Sequence, residues 1–192
     1  MSVRLTDRVT RLLNAMSVDE KIGQLNMLTA GHVITGPGDP ANYIEALKAG
    51  RLGGVFNLFG RGQVRDLQRM ALEETRLGIP LIFGYDIIHG HRTIFPIPLA
   101  EAGAFDAALW ERTARVAALE GAAEGLNLTF APMLDISRDP RWGRMAESAG
   151  EDPWVTSLFA KAKTHGFQGD DVRSPLSLAA TAKHLAAYGA SL

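Results

Sequence analysis

The sequence predicts an α/β fold: the N-terminal half of a (β/α)8 TIM-like barrel, incomplete as given, with about four βα units. Short apolar runs alternate with stretches of helical periodicity, as parallel strands joined by right-handed crossovers require. Polar and charged residues gather directly after the strands, where a barrel puts its site. No strand-to-helix turn carries a Gly-rich phosphate fingerprint, which removes the best support for a doubly wound nucleotide-binding sheet. A complete barrel needs eight units in about 250 residues, and this chain has 192.

Each element has its own signal. Val9, Leu12, Leu13 and Met16 recur at helical spacing. Ser17 with Glu20 forms a capping-box pattern, and Ile22, Leu25 and Leu28 continue an apolar stripe, so two short helices open the chain. A polar Gly/Pro-rich loop spans 31–40, and a short helix over about 42–49 ends at Gly50. The run 54–59 reads as a buried strand, and Val64, Leu67, Ala71 and Leu72 mark a helix ending near Gly78. A second strand covers 81–85, between Pro80 and Asp86. A long helix over about 106–124 presents Leu109, Val116, Leu119 and Ala123 and stops at Gly125. Leu126, Leu128 and Phe130 alternate in a third strand that runs into Pro132 and Asp135. Asp152-Pro153 is an N-cap followed by Pro at the first helical position. The helix it opens carries Val155, Leu158, Phe159 and Ala162 on one face and ends at Gly166. A fourth strand spans about 176–183.

Composition narrows the function. Apolar residues make up 46% of the chain, enough for one domain with a sizeable core. Net charge is −1 with 21% charged residues, which argues against nucleic acid and membrane surfaces as partners. There is no cysteine, so disulfides and thiolate metal sites are excluded. The N-terminus shows no leader pattern, so the chain as written is expected in the cytoplasm, or in the periplasm if a leader has been removed.

Four clusters carry chemistry. Asp86, at a strand end, suits two vicinal sugar hydroxyls, and Arg92 can serve the same ligand or hold the carboxylate. An N-cap or a structural Asp–Arg pair explains the same spacing. His89 and His91 form a His-x-His pair that invites a metal, although a satisfied or solvent-facing histidine fits an irregular loop better. Arg138, Asp139, Arg141, Trp142 and Arg144 place guanidinium forks beside a flat ring. They also fit a rigid loop held by an Arg138–Asp139 pair, with one arginine left for a ligand. Glu147 and Glu151 offer further carboxylates, and pairing Glu151 with Asp86 as glycosidic acids carries little weight. Lys183 and His184 close the last strand, and each needs a carboxylate or polar ligand if buried.

Taken together, these phrases resemble glycoside hydrolase family 3. They are 16–25, Tyr85-Asp86 with His89-Gly90 and Arg92-Thr93, 138–144, 150–153, and Lys183-His184 with Ala187-Tyr188-Gly189. They lie in the family's order over nearly the whole chain, with closest likeness to bacterial β-D-glucoside glucohydrolases. The resemblance implies that 1–192 is the N-terminal portion of the family's barrel domain. It further implies that Asp86, Arg92, Arg144, Lys183 and His184 hold the glucose of the −1 subsite. Family members cleave terminal β-linked glucose with retention, through a covalent glycosyl-enzyme, and need no metal or organic cofactor. The implied partner is a β-glucoside or β-linked oligosaccharide.

The family's nucleophile is an aspartate on a later strand, expected past Leu192, and its acid/base a glutamate of a following domain. No catalytic residue is therefore assigned, and the 192-residue chain alone is expected to be inactive. The N-acetylglucosaminidase branch carries His-Gly-Asp soon after Lys-His, whereas this chain reads Leu185-Ala186-Ala187-Tyr188-Gly189. Alternatives are a β-N-acetylglucosaminidase or β-xylosidase of the family, a non-catalytic half-barrel that binds sugar or complements another chain, and a metallohydrolase using His89, His91 and His184. Unpaired barrel edges also lead to an expectation of self-association.

Overall fold

A computed structural model describes residues 3–30, 43–185 and 187–190. The loop expected over 31–40 lies outside the described residues. The chain divides into two compact units, Met1–Gly84 and Tyr85–Leu192.

The first unit contains α1 (Val3–Ala15), α2 (Val18–Gly23), β1 (Met27–Thr29), α3 (Tyr43–Lys48), β2 (Gly54–Phe56), α4 (Arg61–Glu73) and β3 (Ile82–Tyr85), whose last residue opens the second unit. Ser17 and Glu20 form the expected reciprocal capping box at the start of α2. The stripe through Leu28 is not one helix. Gly23 sits so close to the next segment that a Cβ would meet the Gly50 carbonyl oxygen at 2.4 Å. There α2 stops, and the Asn26 carbonyl accepts from the N–H groups of Gly53 and Gly54 at 3.0 and 3.1 Å, which draws the chain into an additional strand. This β1 pairs in parallel with β2, Leu28 opposite Val55, and β2 pairs in parallel with β3, Val55 opposite Phe83. Val55, Phe83, Val64, Leu67 and Ala71 are buried, while Leu72 faces solvent.

The second unit contains α5 (Pro98–Ala102), α6 (Ala107–Ala123), β4 (Leu128–Thr129), a 3-10 turn at Met145–Glu147, α7 (Pro153–Gln168), β5 (Ala179–Ala180) and a 3-10 turn at Tyr188–Ala190. The expected fourth strand is shorter than its sequence run. β5 pairs in parallel with β4, and the ladder resumes irregularly where Met133 bridges Lys183. Asp152 caps α7 through Trp154 and Val155 N–H, with Pro153 at the first helical position as expected. The helix passes through Gly166 and ends at Gly169, whose φ of 58° is left-handed.

The face of α6 turned inward is not the Leu109/Val116/Leu119 face but the one bearing Trp110, Thr113, Ala114, Ala117, Ala118 and Gly121. Small residues win because α7 lies so close: a Cβ on Gly166 would meet the Glu111 carbonyl at 2.4 Å and Ala114 Cβ at 2.7 Å. Trp110 and Phe159 pack edge to face at 5.2 Å within a cluster that includes Ala102, Ala149 and Ala162. Inside it lies an ion pair. Lys163 and Glu101 side chains are 3% and 2% exposed, and Thr113 hydroxyl bonds to both. Among the described residues, no helix is long and apolar enough to cross a membrane.

Candidate sugar-binding site

The site is built from residues of the second unit that follow two strands. Asp86 follows β3 and Lys183 follows β5, and Lys183 Nζ lies 3.2 Å from Asp86 Oδ2. Backbone hydrogen bonds hold Lys183 there: its N–H donates to the Pro132 carbonyl at 3.1 Å, and its carbonyl accepts from Leu134 N–H at 2.7 Å. The ammonium side chain is 13% exposed and the carboxylate 44%, so the pair is neutralised on one side and open to a ligand on the other.

The next residue extends the cluster. His184 Nδ1 is 2.7 Å from Asp135 Oδ2, and its Nε2 is 3.2 Å from Arg144 Nη1. Arg144 also forms a two-pronged pair with Glu147, Nε to Oε1 at 2.7 Å and Nη2 to Oε2 at 2.6 Å. These bonds, more than any other influence, hold Glu147 below its ordinary carboxylate range, helped by the charge of Lys183. They raise Arg144 further above its already high value. Tyr188 completes the wall: its ring meets those of His184 at 4.7 Å and Trp142 at 5.4 Å, with the Arg144 guanidinium 5.5 Å from its centre. Gly189 permits this, since a Cβ there would meet the Ile136 carbonyl at 2.3 Å.

Four of the five residues singled out from sequence thus fall into two hydrogen-bonded groups joined by the Lys183–His184 peptide: Asp86 with Lys183, and His184 with Arg144. Arg92 is directed elsewhere. Its side chain, 60% exposed, pairs with Glu124 just past α6, and its backbone N–H donates to Glu120 at 2.8 Å. The 86–97 loop is pinned to α6 through these acids, with Thr93 N–H also on Glu120. The pair within the arginine-rich loop is Asp139 with Arg141, because Arg141 N–H and guanidinium both reach the carboxylate two residues back. His89 Nδ1 lies 3.1 Å from the Phe95 carbonyl and His91 Nε2 2.9 Å from Glu124. Among the described residues no three His, Cys, Asp or Glu are grouped as metal ligands. Sequence reading gave no role to Asp135 and Tyr188. Their signal lay in a carboxylate soon after a strand and an aromatic residue four positions past His184.

Residues 17–192 match the glycosyl hydrolase family 3 N-terminal domain. The chain is 44% identical over 183 residues to a periplasmic β-glucosidase of Salmonella typhimurium, covering 95% of this chain and 23% of that protein. It is 32% identical to a putative β-xylosidase of Formosa agariphila, covering 98% of this chain and 27% of the relative. A β-glucosidase from Listeria innocua, solved with isofagomine, superposes with a TM-score of 0.89 at 41% identity, over 100% of this chain and 27% of that one. Its glucose complex gives a TM-score of 0.85 at 39% identity, over 96% and 27%. The fold is that of the first part of a TIM-like barrel, and the chain spans about a quarter of the relatives it matches.

Proposed function

We propose that this chain, which belongs to glycosyl hydrolase family 3, forms the sugar-gripping part of a retaining exo-β-glucosidase that releases terminal β-D-glucosyl residues. The observation that carries the reading is the 3.2 Å Asp86–Lys183 pair placed beside the Arg144–His184 contact. A pyranose hydroxyl both donates and accepts. Asp86 supplies acceptors, and Lys183 and Arg144 supply donors, so adjacent hydroxyls of one ring find complementary partners. Because the cations and carboxylates are already paired, binding does not strand a lone charge away from water. Arg92 serves the site at one remove, holding the loop that carries Asp86.

In this reading residues 1–192 are one portion of the barrel domain, and the nucleophile and acid/base come from other parts of the enzyme. The isolated chain is inactive. It also self-associates, since β1 and β5 offer strand edges that the rest of a barrel would cover. The similarity to a periplasmic β-glucosidase supports a periplasmic location. The similarity to a putative β-xylosidase keeps a xyloside as the second substrate reading.

The test is an assembled enzyme in which this chain replaces the matching segment of the Listeria innocua β-glucosidase. It should hydrolyse an aryl β-glucoside faster than an aryl β-xyloside. Asp86→Ala should lower kcat/KM by several kcal/mol of transition-state stabilisation, of order 3 kcal/mol, as the hydroxyl partners are left unpaired. A folded assembly whose Asp86→Ala variant keeps near-normal kcat/KM would refute the assignment. A preference for the xyloside would select the second reading.

A further inference from the structure

We infer that Asp135 is a positioning residue: it fixes the tautomer of His184, and the ring so fixed holds Arg144 in place for the sugar. This rests on the sugar-site reading above and extends it to a residue outside the proposed grip.

The geometry gives two separate demands on one imidazole. Asp135 sits two residues beyond the Met133–Lys183 bridge, with its side chain 3% exposed. Its Oδ2 accepts the backbone N–H of His184 at 3.2 Å and lies 2.7 Å from His184 Nδ1. An ionised carboxylate only accepts, so Nδ1 must carry the proton. On the opposite edge Nε2 lies 3.2 Å from Arg144 Nη1. A guanidinium only donates, so Nε2 must offer its lone pair. Both neighbours select the same form. The other tautomer would set a lone pair against the carboxylate and a proton against a guanidinium N–H.

The consequence falls on Arg144. Glu147 takes two prongs of its fork and His184 a third, so the guanidinium plane is fixed on two sides. The ring itself cannot swing: the Asp135 bonds grip it on one side, and Tyr188 packs against it at 4.7 Å. Tyr188 is in turn held because Gly189 rests on the carbonyl of Ile136, the residue after Asp135. One short segment, 135–136, therefore sets the ring, its packing partner and, through the ring, the arginine. At metal sites an outer-shell carboxylate that orients an imidazole is worth about 10–100-fold, and Asp135 has the same orienting geometry toward a ring that holds a guanidinium.

The test uses the assembled enzyme with 15N-labelled histidine, the His184 signals being assigned by their disappearance in His184→Gln. Long-range 1H–15N spectra should show a protonated Nδ1 and an unprotonated Nε2. Asp135→Ala should lose that signature and bind isofagomine roughly tenfold more weakly. A wild-type ring protonated on Nε2, or on both nitrogens, overturns the inference without need of any variant. So does an Asp135→Ala protein that keeps both the tautomer and the affinity. A wild-type assembly with the expected spectrum that binds neither isofagomine nor glucose sinks instead the sugar-site reading on which the inference depends.

Discussion

Lys163→Met in the assembled enzyme, made alone and together with Glu101→Leu, tests how the second unit holds its helices. The two charged side chains are 3% and 2% exposed, so each has given up nearly all of its water. Burial pulls the Lys163 amine below its ordinary value, and the Glu101 carboxylate beside it works in the opposite direction. Lys163 also donates to Thr113 Oγ1 at 2.9 Å, and the same hydroxyl bonds to Glu101. Removing the amine leaves a buried carboxylate with one neutral donor, a change worth about 3–5 kcal/mol. Replacing both charges with apolar side chains removes that penalty, and the double variant should return to within about 1–2 kcal/mol of the parent. Hydrogen exchange across α5, α6 and α7 reads this locally, and 3 kcal/mol is a rise of about a hundredfold in opening. Exchange that rises less than about fivefold in Lys163→Met would refute the reasoning. So would a double variant as open as the single one, because the cost would then be lost packing and not a stranded charge.

Other outcomes follow from the same contacts. Gly166→Ala forces a Cβ to within 2.4 Å of the Glu111 carbonyl and should destabilise α6–α7 packing by about 1–3 kcal/mol or more, seen as earlier thermal unfolding. Gly189→Ala meets the Ile136 carbonyl at 2.3 Å and should displace Tyr188, weakening isofagomine binding more than it lowers the melting temperature. Arg92→Ala should cost stability of about 0–1 kcal/mol, as expected for an exposed pair, and leave KM within a few-fold of the parent; a tenfold rise in KM would return Arg92 to the ligand. The acid side of the stability profile follows from Glu147. Its folded pKa lies below the ordinary 4.5, so its contribution to stability is complete above that value and is lost as pH falls through the lower, folded one. Stability should therefore show an acid-side loss below pH 4.5 whose Glu147 component Glu147→Gln removes, measured by thermal unfolding across that range.

The strand positions at β2, β3 and β4 were legible because short apolar runs there alternate with stretches of helical spacing. Capping signals were legible for the same local reason: Ser17/Glu20 and Asp152-Pro153 act within one turn of chain. What depended on distant partners was not. β1 was hidden in an apolar stripe that only the approach of Gly23 to Gly50 breaks. The buried face of α6 was misassigned because closeness to α7 selects Ala and Gly over Leu and Val. The proposed sugar-contact residues came from resemblance, and four of them form two pairs joined by the Lys183–His184 peptide. Arg92 departed because Glu124, thirty-two residues on, competes for it, and spacing from Asp86 carries no trace of that.

The short helix α5 begins where the 86–97 loop ends, and it packs against the turn Met145–Glu147, with Leu99 reaching Gly150. The two active-face loops are thus mechanically tied to a common strut. Recombination between homologues that exchanged one loop without the other would break this joint, whatever the sugar contacts themselves allowed. Crossover points placed before Tyr85 and after Ala190 would transfer both loops together with Lys183, His184 and Tyr188, which makes that block the natural unit for shuffling specificity among such enzymes.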